Sequence, residues 1–378
     1  MVGKDKVDVV VVGAGIAGLT AAWEINRHNH NFVVLEARDQ VGGRIQSVTT
    51  ELGVTVDLGA QWICSHHQRM HAYAKQFGLK TAPTYRSGRT IYHLNGKPKI
   101  TLKEIPPLSF KAVVDLIQAK NKIDQWVGRL PQEEPWNSAL AHNLDQFTID
   151  RWTEEALLTQ SARNFYRLWA EAMACVDLDE ISLLDMLWCI KTAGSLENVL
   201  HGEEEWFIDG AHSIPRRMAE RLGEKVKLNT PVKRIVVNTD GADNTGVWKT
   251  KHVIVAVPLI LADRIGYDPP LLASRAQLTQ RLPQSIVIKF NVIYEKPFWR
   301  AEGLNGISYY DQGLIRYTID STPPDTKIGI LTAFSGGKFG RKLSAMDLVA
   351  RRNKVINDLV ELFSPQARTH LAIYGKIG

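Results

Sequence analysis

Three features of the chain predict an α/β fold, with a parallel sheet in one domain and a mixed sheet plus helices in another. Apolar, valine-rich runs occur at Val7 to Val12 and again at His252 to Val257, as in strands covered on both faces of a parallel sheet. A glycine-rich turn, Gly13-Ala14-Gly15-Ile16-Ala17-Gly18, follows the first run directly and opens a helix-compatible stretch, Leu19 to Arg27. Between the two runs, apolar residues recur at helical spacing over Phe110 to Val127, Leu157 to Val176 and Ile181 to Ile190. At 378 residues and 44% hydrophobic content, the chain is long enough for two domains with sizeable cores.

The first element is the most informative. Gly13 permits a tight turn, Gly15 lets a pyrophosphate approach the backbone, and Gly18 lets the helix pack against the strand. The pyrophosphate would sit on the positive end of that helix. A second strand, Phe32-Val33-Val34-Leu35, delivers Glu36 about 20 residues past the glycines, where a ribose hydroxyl needs an acceptor. Strand, turn, helix and acid together make a Rossmann-like dinucleotide site, with Gly13, Ala14, Gly15, Ile16, Ala17, Gly18 and Glu36 as candidate contacts. The motif alone leaves NAD and FAD both open.

The next residues narrow the choice. Ala37-Arg38-Asp39-Gln40-Val41-Gly42-Gly43-Arg44 adds a glycine pair between two arginines, whose forked donors suit a diphosphate. From Val10 to Arg44, with E-A-R-D-x-V-G-G-R intact from Glu36, the sequence resembles the flavin-dependent amine oxidases, the family of monoamine, polyamine, putrescine and L-amino-acid oxidases. The resemblance implies a glutathione-reductase-type FAD-binding domain with a second α+β substrate domain. It also implies FAD as cofactor, with Ala37, Arg38, Gly42, Gly43 and Arg44 joining its contacts.

Val54 to Ile63 alternates like a strand and breaks at Gly59. It resembles the family's second flavin contact, D-x-G-G followed by a polar and an aromatic residue. The resemblance places Gly59, Ala60, Gln61 and Trp62 at the flavin, with Ala60 replacing the second glycine. His66, His67 and His71 follow; with no third ligand type evident, a solvated face is expected and no metal site. Arg86 and Arg89 lie in a turn and are read as surface residues rather than as a clamp for a substrate carboxylate. Tyr92 to Lys97 reads as a hairpin. Pro106-Pro107 opens the helical region, whose tryptophans, Trp126, Trp136, Trp152, Trp169 and Trp188 among them, are expected mostly in core packing.

Phe207 to Ala211 then leads into a helix, Ile214 to Leu222, and Thr230 to Ile235 begins a strand pair closed by a turn at Asp240-Gly241. The resemblance sets the backbone of Val232, after Pro231, against the adenine. Leu282 to Tyr294 is a strand with Lys289 in its apolar middle. A buried ammonium is costly unless paired or deprotonated, so its pKa should fall; an edge-strand lysine snorkelling to water fits the pattern equally. The family resemblance decides between them, since S-x-x-I-K and Tyr294-Glu295-Lys296-Pro297-Phe298-Trp299-Arg300 match its active-site lysine segment. It implies that Lys289 is catalytic, holding a water against the flavin and assisting reoxidation by oxygen. Gly306 to Phe334 reads as antiparallel strands offering Tyr309, Tyr310 and Tyr317 to a pocket. Ser344 with Asp347 reads as a capping box, and His370 to Tyr374 as a last strand.

The expected domains are 1–84 and 206–290 for FAD, and 85–205 and 291–378 for substrate. Family members continue beyond the last residue here, so a C-terminal FAD-binding segment is expected to be absent, with FAD held non-covalently and no membrane anchor. A formal charge of +6 with no dense basic tract argues against nucleic acid. Three widely spaced cysteines fit a reducing compartment, and no leader or membrane-spanning run is evident, so a cytoplasmic location is expected. The expected activity is oxidative deamination of a primary amine, a monoamine or short diamine, to an aldehyde with ammonia and hydrogen peroxide. The alternative is a truncated, non-catalytic family member that binds a nucleotide or a partner; oligomeric state, a homodimer included, is left open. An NAD-dependent dehydrogenase would need an acid/base pair that the sequence does not offer.

Overall fold

The computed structural model describes residues 6–102, 106–237, 248–282, 284–324 and 326–377. The chain divides into two compact units, one of residues 1–61, 72–80 and 209–284, the other of 62–71, 81–208 and 285–378. The boundary expected after residue 290 falls inside the strand Val287–Tyr294, whose ladder partners all belong to the second unit. Residues 62–71 go with that unit too, since Trp62–Ile63 pairs with Glu205–Phe207.

In the first unit, four parallel strands lie in the order Val226–Lys227, Phe32–Leu35, Lys6–Val12, Lys249–Val255. Val7, Val10, Val12, Val33 and Leu35 form its apolar core with Ile265. The second valine-rich run is not covered on both faces as expected. Among the described residues it is an outer strand, and Val253 and Ile254 are 37% and 38% exposed. The expected turn at 240–241 lies outside the described residues. Val232 precedes a short strand, Arg234–Val236, which pairs in parallel with Gly266–Asp268.

The second unit is built on a seven-stranded mixed sheet, ordered Ala372–Ile377, Val287–Tyr294, Gly329–Gly336, Tyr317–Asp320, Leu304–Tyr310, Arg89–Leu94, Lys97–Thr101. Leu304–Tyr310 and Arg89–Leu94 run parallel; the other neighbouring strands of this sheet run antiparallel. The predicted helices appear as Phe110–Arg129, Gln160–Ala174 and Leu183–Ala193, capped at the first and last by Ser109 and Ser182. Trp152 and Trp169 are buried in their common core, in edge contact through Tyr166. The cap of the helix Leu348–Leu362 is Asp347, whose carboxylate accepts the Val349 and Ala350 N–H groups at 2.9 Å. Ser344 instead ends the preceding helix, so the predicted capping box does not form: the helix starts three residues later on Asp347 alone, with Ala350 at the position where a box needs an acid or amide. Among the described residues no helix is long and apolar enough to cross a membrane.

Candidate functional site

In the first unit the glycine turn and the segment after Glu36 come together. The helix Ile16–Arg27 begins at Gly15 with no side-chain cap and no acid in its first turn, which leaves its amide end suited to an anion. Gly13 has φ +100°, and a Cβ there would lie 2.8 Å from Val257 Cγ1. A Cβ on Gly18 would lie 2.0 Å from the Gly13 carbonyl oxygen. Both are glycines for the protein's own packing. Gly15 is different, because the nearest atom to a Cβ there is Gly43 Cα at 3.8 Å. Nothing in the protein demands glycine at 15, so its bare backbone fits the approach of a pyrophosphate.

Glu36 is buried behind this turn. Its carboxylate accepts Ala14 N–H at 2.7 Å, Arg38 N–H at 3.1 Å and Arg38 Nε–H at 3.3 Å. A carboxylate has about four acceptor positions, so one remains for a ribose hydroxyl. Arg38 also donates to the Gly43 carbonyl, and Gly42 N–H donates to the Ala14 carbonyl at 2.8 Å, closing the two glycine segments on each other. Ala37 and the Arg44 side chain are exposed, and Ile16 and Ala17 form the first turn of the helix.

Gly59 is glycine because a Cβ would lie 2.0 Å from the Arg44 carbonyl oxygen, where two chain segments cross. Ala60 donates its N–H to that same carbonyl at 3.2 Å and is itself exposed, so its methyl meets no crowding in the protein. Gln61 is buried. Val232 packs against the valine core, and its approach is tied by Thr230 N–H to the Glu36 carbonyl and Asn229 N–H to the Arg38 carbonyl, each at 2.8 Å.

Lys289 and Trp62 meet in the second unit. Lys289 lies on an interior strand between Phe334 and Lys376 and is only 4% exposed, which removes the edge-strand reading. Its Nζ stands 4.8 Å from the Trp62 ring centroid and 5.8 Å from that of Phe334. The Trp62 indole N–H is buried with no hydrogen-bond partner among the described residues, an arrangement that suits a water or a substrate acceptor. Tyr317 stacks on Phe334 at 6.1 Å and reaches Tyr309 at 5.3 Å. Tyr309 in turn lines a cavity of about 300 Å³ with Phe165, Trp169, Leu196 and Ile307.

One residue of this site, Glu203, is not marked by any pattern in the sequence. Glu203 opens a run of three glutamates, which reads as a solvated stretch, yet each points to a separate task. Glu205 approaches His71, Glu204 accepts the Ser65 N–H and hydroxyl, and Glu203 turns inward to Arg86 and Tyr317. Tyr317 donates its hydroxyl to Glu203 Oε2 at 3.5 Å; Arg86 donates to the Glu203 carbonyl at 3.1 Å and stands 3.8 Å from the carboxylate. Burial pushes the Glu203 carboxyl above the usual carboxylate range, against the opposing charge of Arg86. Arg86 also lines the cavity, whereas Arg89 is exposed with its guanidinium on the Glu302 and Gly303 carbonyls.

A family model for flavin containing amine oxidoreductases matches residues 16–372. A probable flavin-containing monoamine oxidase A of Dictyostelium discoideum is 30% identical over 370 residues, covering 95% of this chain and 81% of that one. A flavin-containing amine oxidase of Oncorhynchus mykiss is 31% identical over 385 residues, covering 99% and 74%. The structure of wild-type putrescine oxidase bound to putrescine superposes with a TM-score of 0.90 at 27% identity, covering 98% of this chain and 84% of that one. The glycine cradle, the buried lysine and these likenesses agree: the chain belongs to the flavin-containing amine oxidoreductases, FAD-dependent α/β enzymes that act on amines.

Proposed function

We propose that the chain oxidises a primary amine, a monoamine or short diamine, to an aldehyde. In overall balance, RCH2NH2, O2 and H2O give RCHO, NH3 and H2O2. The observation that carries this reading is the Lys289 side chain buried mid-sheet with its Nζ against the rings of Trp62 and Phe334. FAD, held through Gly13 to Gly18, Glu36, Arg38 and Gly42 to Arg44, supplies the two-electron acceptor. Phe165, Trp169, Leu196 and Ile307 give the substrate's hydrocarbon part a dry wall, and Trp62 and Phe334 exclude water around the lysine. Arg89 is committed to backbone carbonyls and Arg86 to Glu203, so the amino-acid clamp gains no support. The test is the visible spectrum of the purified protein with an amine panel in the absence of oxygen. A flavin spectrum bleached by a short apolar primary amine, with peroxide on readmission of oxygen, is the expected result. A flavin spectrum that no primary amine bleaches overturns the proposal.

Within this reading Glu203 supplies the negative charge that receives the incoming ammonium. Glu203→Gln keeps the shape and removes the charge, so KM should rise about tenfold with kcat less affected. The pH dependence has a definite sign. The carboxylate is charged above its raised pKa and neutral below it, so the wild type should lose amine affinity as pH falls through that value. The variant should lack this acidic limb. Equal KM profiles for the two proteins would remove Glu203 from substrate recognition.

A further inference from the structure

The histidine-rich turn between Trp62 and the helix Gln68–Phe77 plays no part in amine oxidation as described. We propose that Cys64, His66 and His67 form a binding site for a borderline transition-metal dication, zinc being the type case. One ligand atom from each of the three side chains falls within 4.8 Å of the other two. Bond lengths of about 2.3 Å to sulfur and 2.0 Å to nitrogen set tetrahedral ligands roughly 3.5 Å apart, so the trio needs to close by about an ångström. The histidines alone lack a third ligand; the fold brings Cys64 to them.

The three side chains differ in what they already hold. His66 Nδ1 is buried and has no hydrogen-bond partner among the described residues, so its lone pair is open to an ion. His67 Nδ1 accepts the Cys64 backbone N–H at 3.1 Å, a hydrogen bond that gives way when the ion takes that lone pair. Cys64 is buried, and its thiol donates to the Gly202 carbonyl at 2.6 Å, a bond that it would give up on ligation as thiolate. Glu204, held by the Ser65 N–H at 2.6 Å, places a negative charge close by and favours a cation beside the sulfur. One thiolate and two imidazoles suit zinc rather than magnesium or calcium, with a water completing the tetrahedron.

Such an ion would fasten the turn that follows the strand Trp62–Ile63, and Trp62 is the ring on which Lys289 rests. His71 already braces the turn through its Nε2, 2.9 Å from the Cys64 carbonyl. The experiment is a titration of the metal-stripped, flavin-loaded protein with Zn²⁺ by calorimetry, and with Co²⁺ by absorption to the red of the flavin bands. One equivalent of zinc, a raised thermal midpoint and the intense cobalt bands of a tetrahedral site with sulfur are expected. Cys64→Ser and His66→Ala should each abolish the equivalent, while Cys189→Ser, at an exposed cysteine, should keep it. The cobalt spectrum of the wild type decides independently of whether the variants fold. Absence of binding by the wild type, octahedral cobalt bands, or zinc bound equally by Cys64→Ser and His66→Ala would overturn the proposal.

Discussion

Lys289→Met is expected to lower turnover with oxygen by about 10²-fold while leaving anaerobic flavin reduction by the amine much less affected. The argument starts from the strand Val287–Tyr294, which is buried along nearly its whole length and flanked on both sides by other strands. Methionine fills the space of the lysine stem with an unbranched apolar chain, so the sheet and the Trp62–Phe334 contact should survive. What disappears is a buried amino group that, in its protonated form, acts most strongly in a water-poor place on the negative charge that oxygen acquires as it is reduced. Stopped-flow measurement of the two half-reactions separates the effects. A variant that reoxidises at the wild-type rate would assign Lys289 a purely structural role. One that loses both half-reactions together with its circular dichroism would show only that the sheet needs the lysine.

The glycine turn was legible because its information is local. Gly13, Gly15, Gly18 and Glu36 lie within or at the end of one strand-helix-strand passage, whereas the Gly42–Gly43 pair, beyond the second strand, was reached through the family resemblance and lies against Gly15 in the fold. Lys289 was only half legible. Its apolar neighbours showed a buried strand, but whether that strand was interior or at an edge depended on pairing with Ala372–Ile377, about eighty residues on. The same limit explains the second valine-rich run, where composition suggested two covered faces and the strand order placed Lys249–Val255 on the outside. Glu203 was hidden by its own neighbours, since three glutamates in a row give no hint that one of them meets Tyr317 and Arg86 from distant parts of the chain. The nearness of Cys64 to His66 and His67 was hidden for a similar reason: the fold of the turn, not the order of residues, brings their ligand atoms within 4.8 Å of one another.

Gly15→Val should weaken flavin binding by about 10²-fold while the apoprotein stays folded, and Gly18→Ala should fail at an earlier stage. At 15 the backbone φ of −71° is open to any residue, and a Cβ finds its nearest neighbour 3.8 Å away. The protein alone therefore tolerates a side chain there; only a pyrophosphate drawn onto the helix amides would collide with it. Overpacking of that kind costs about 1–3 kcal/mol, which is roughly 10- to 10²-fold in affinity. At 18 the added carbon would lie 2.0 Å from the Gly13 oxygen, which is backbone and cannot yield without moving the strand from the helix. Thermal melts of the two apoproteins and titration with FAD distinguish the cases. Wild-type melting with lost flavin uptake is expected for Gly15→Val, and a lowered midpoint even without flavin for Gly18→Ala. If Gly15→Val binds FAD as the wild type does, the pyrophosphate lies elsewhere, and the contacts assigned to Gly43 and Arg38 fall with it, because both converge on the same space beside Gly15.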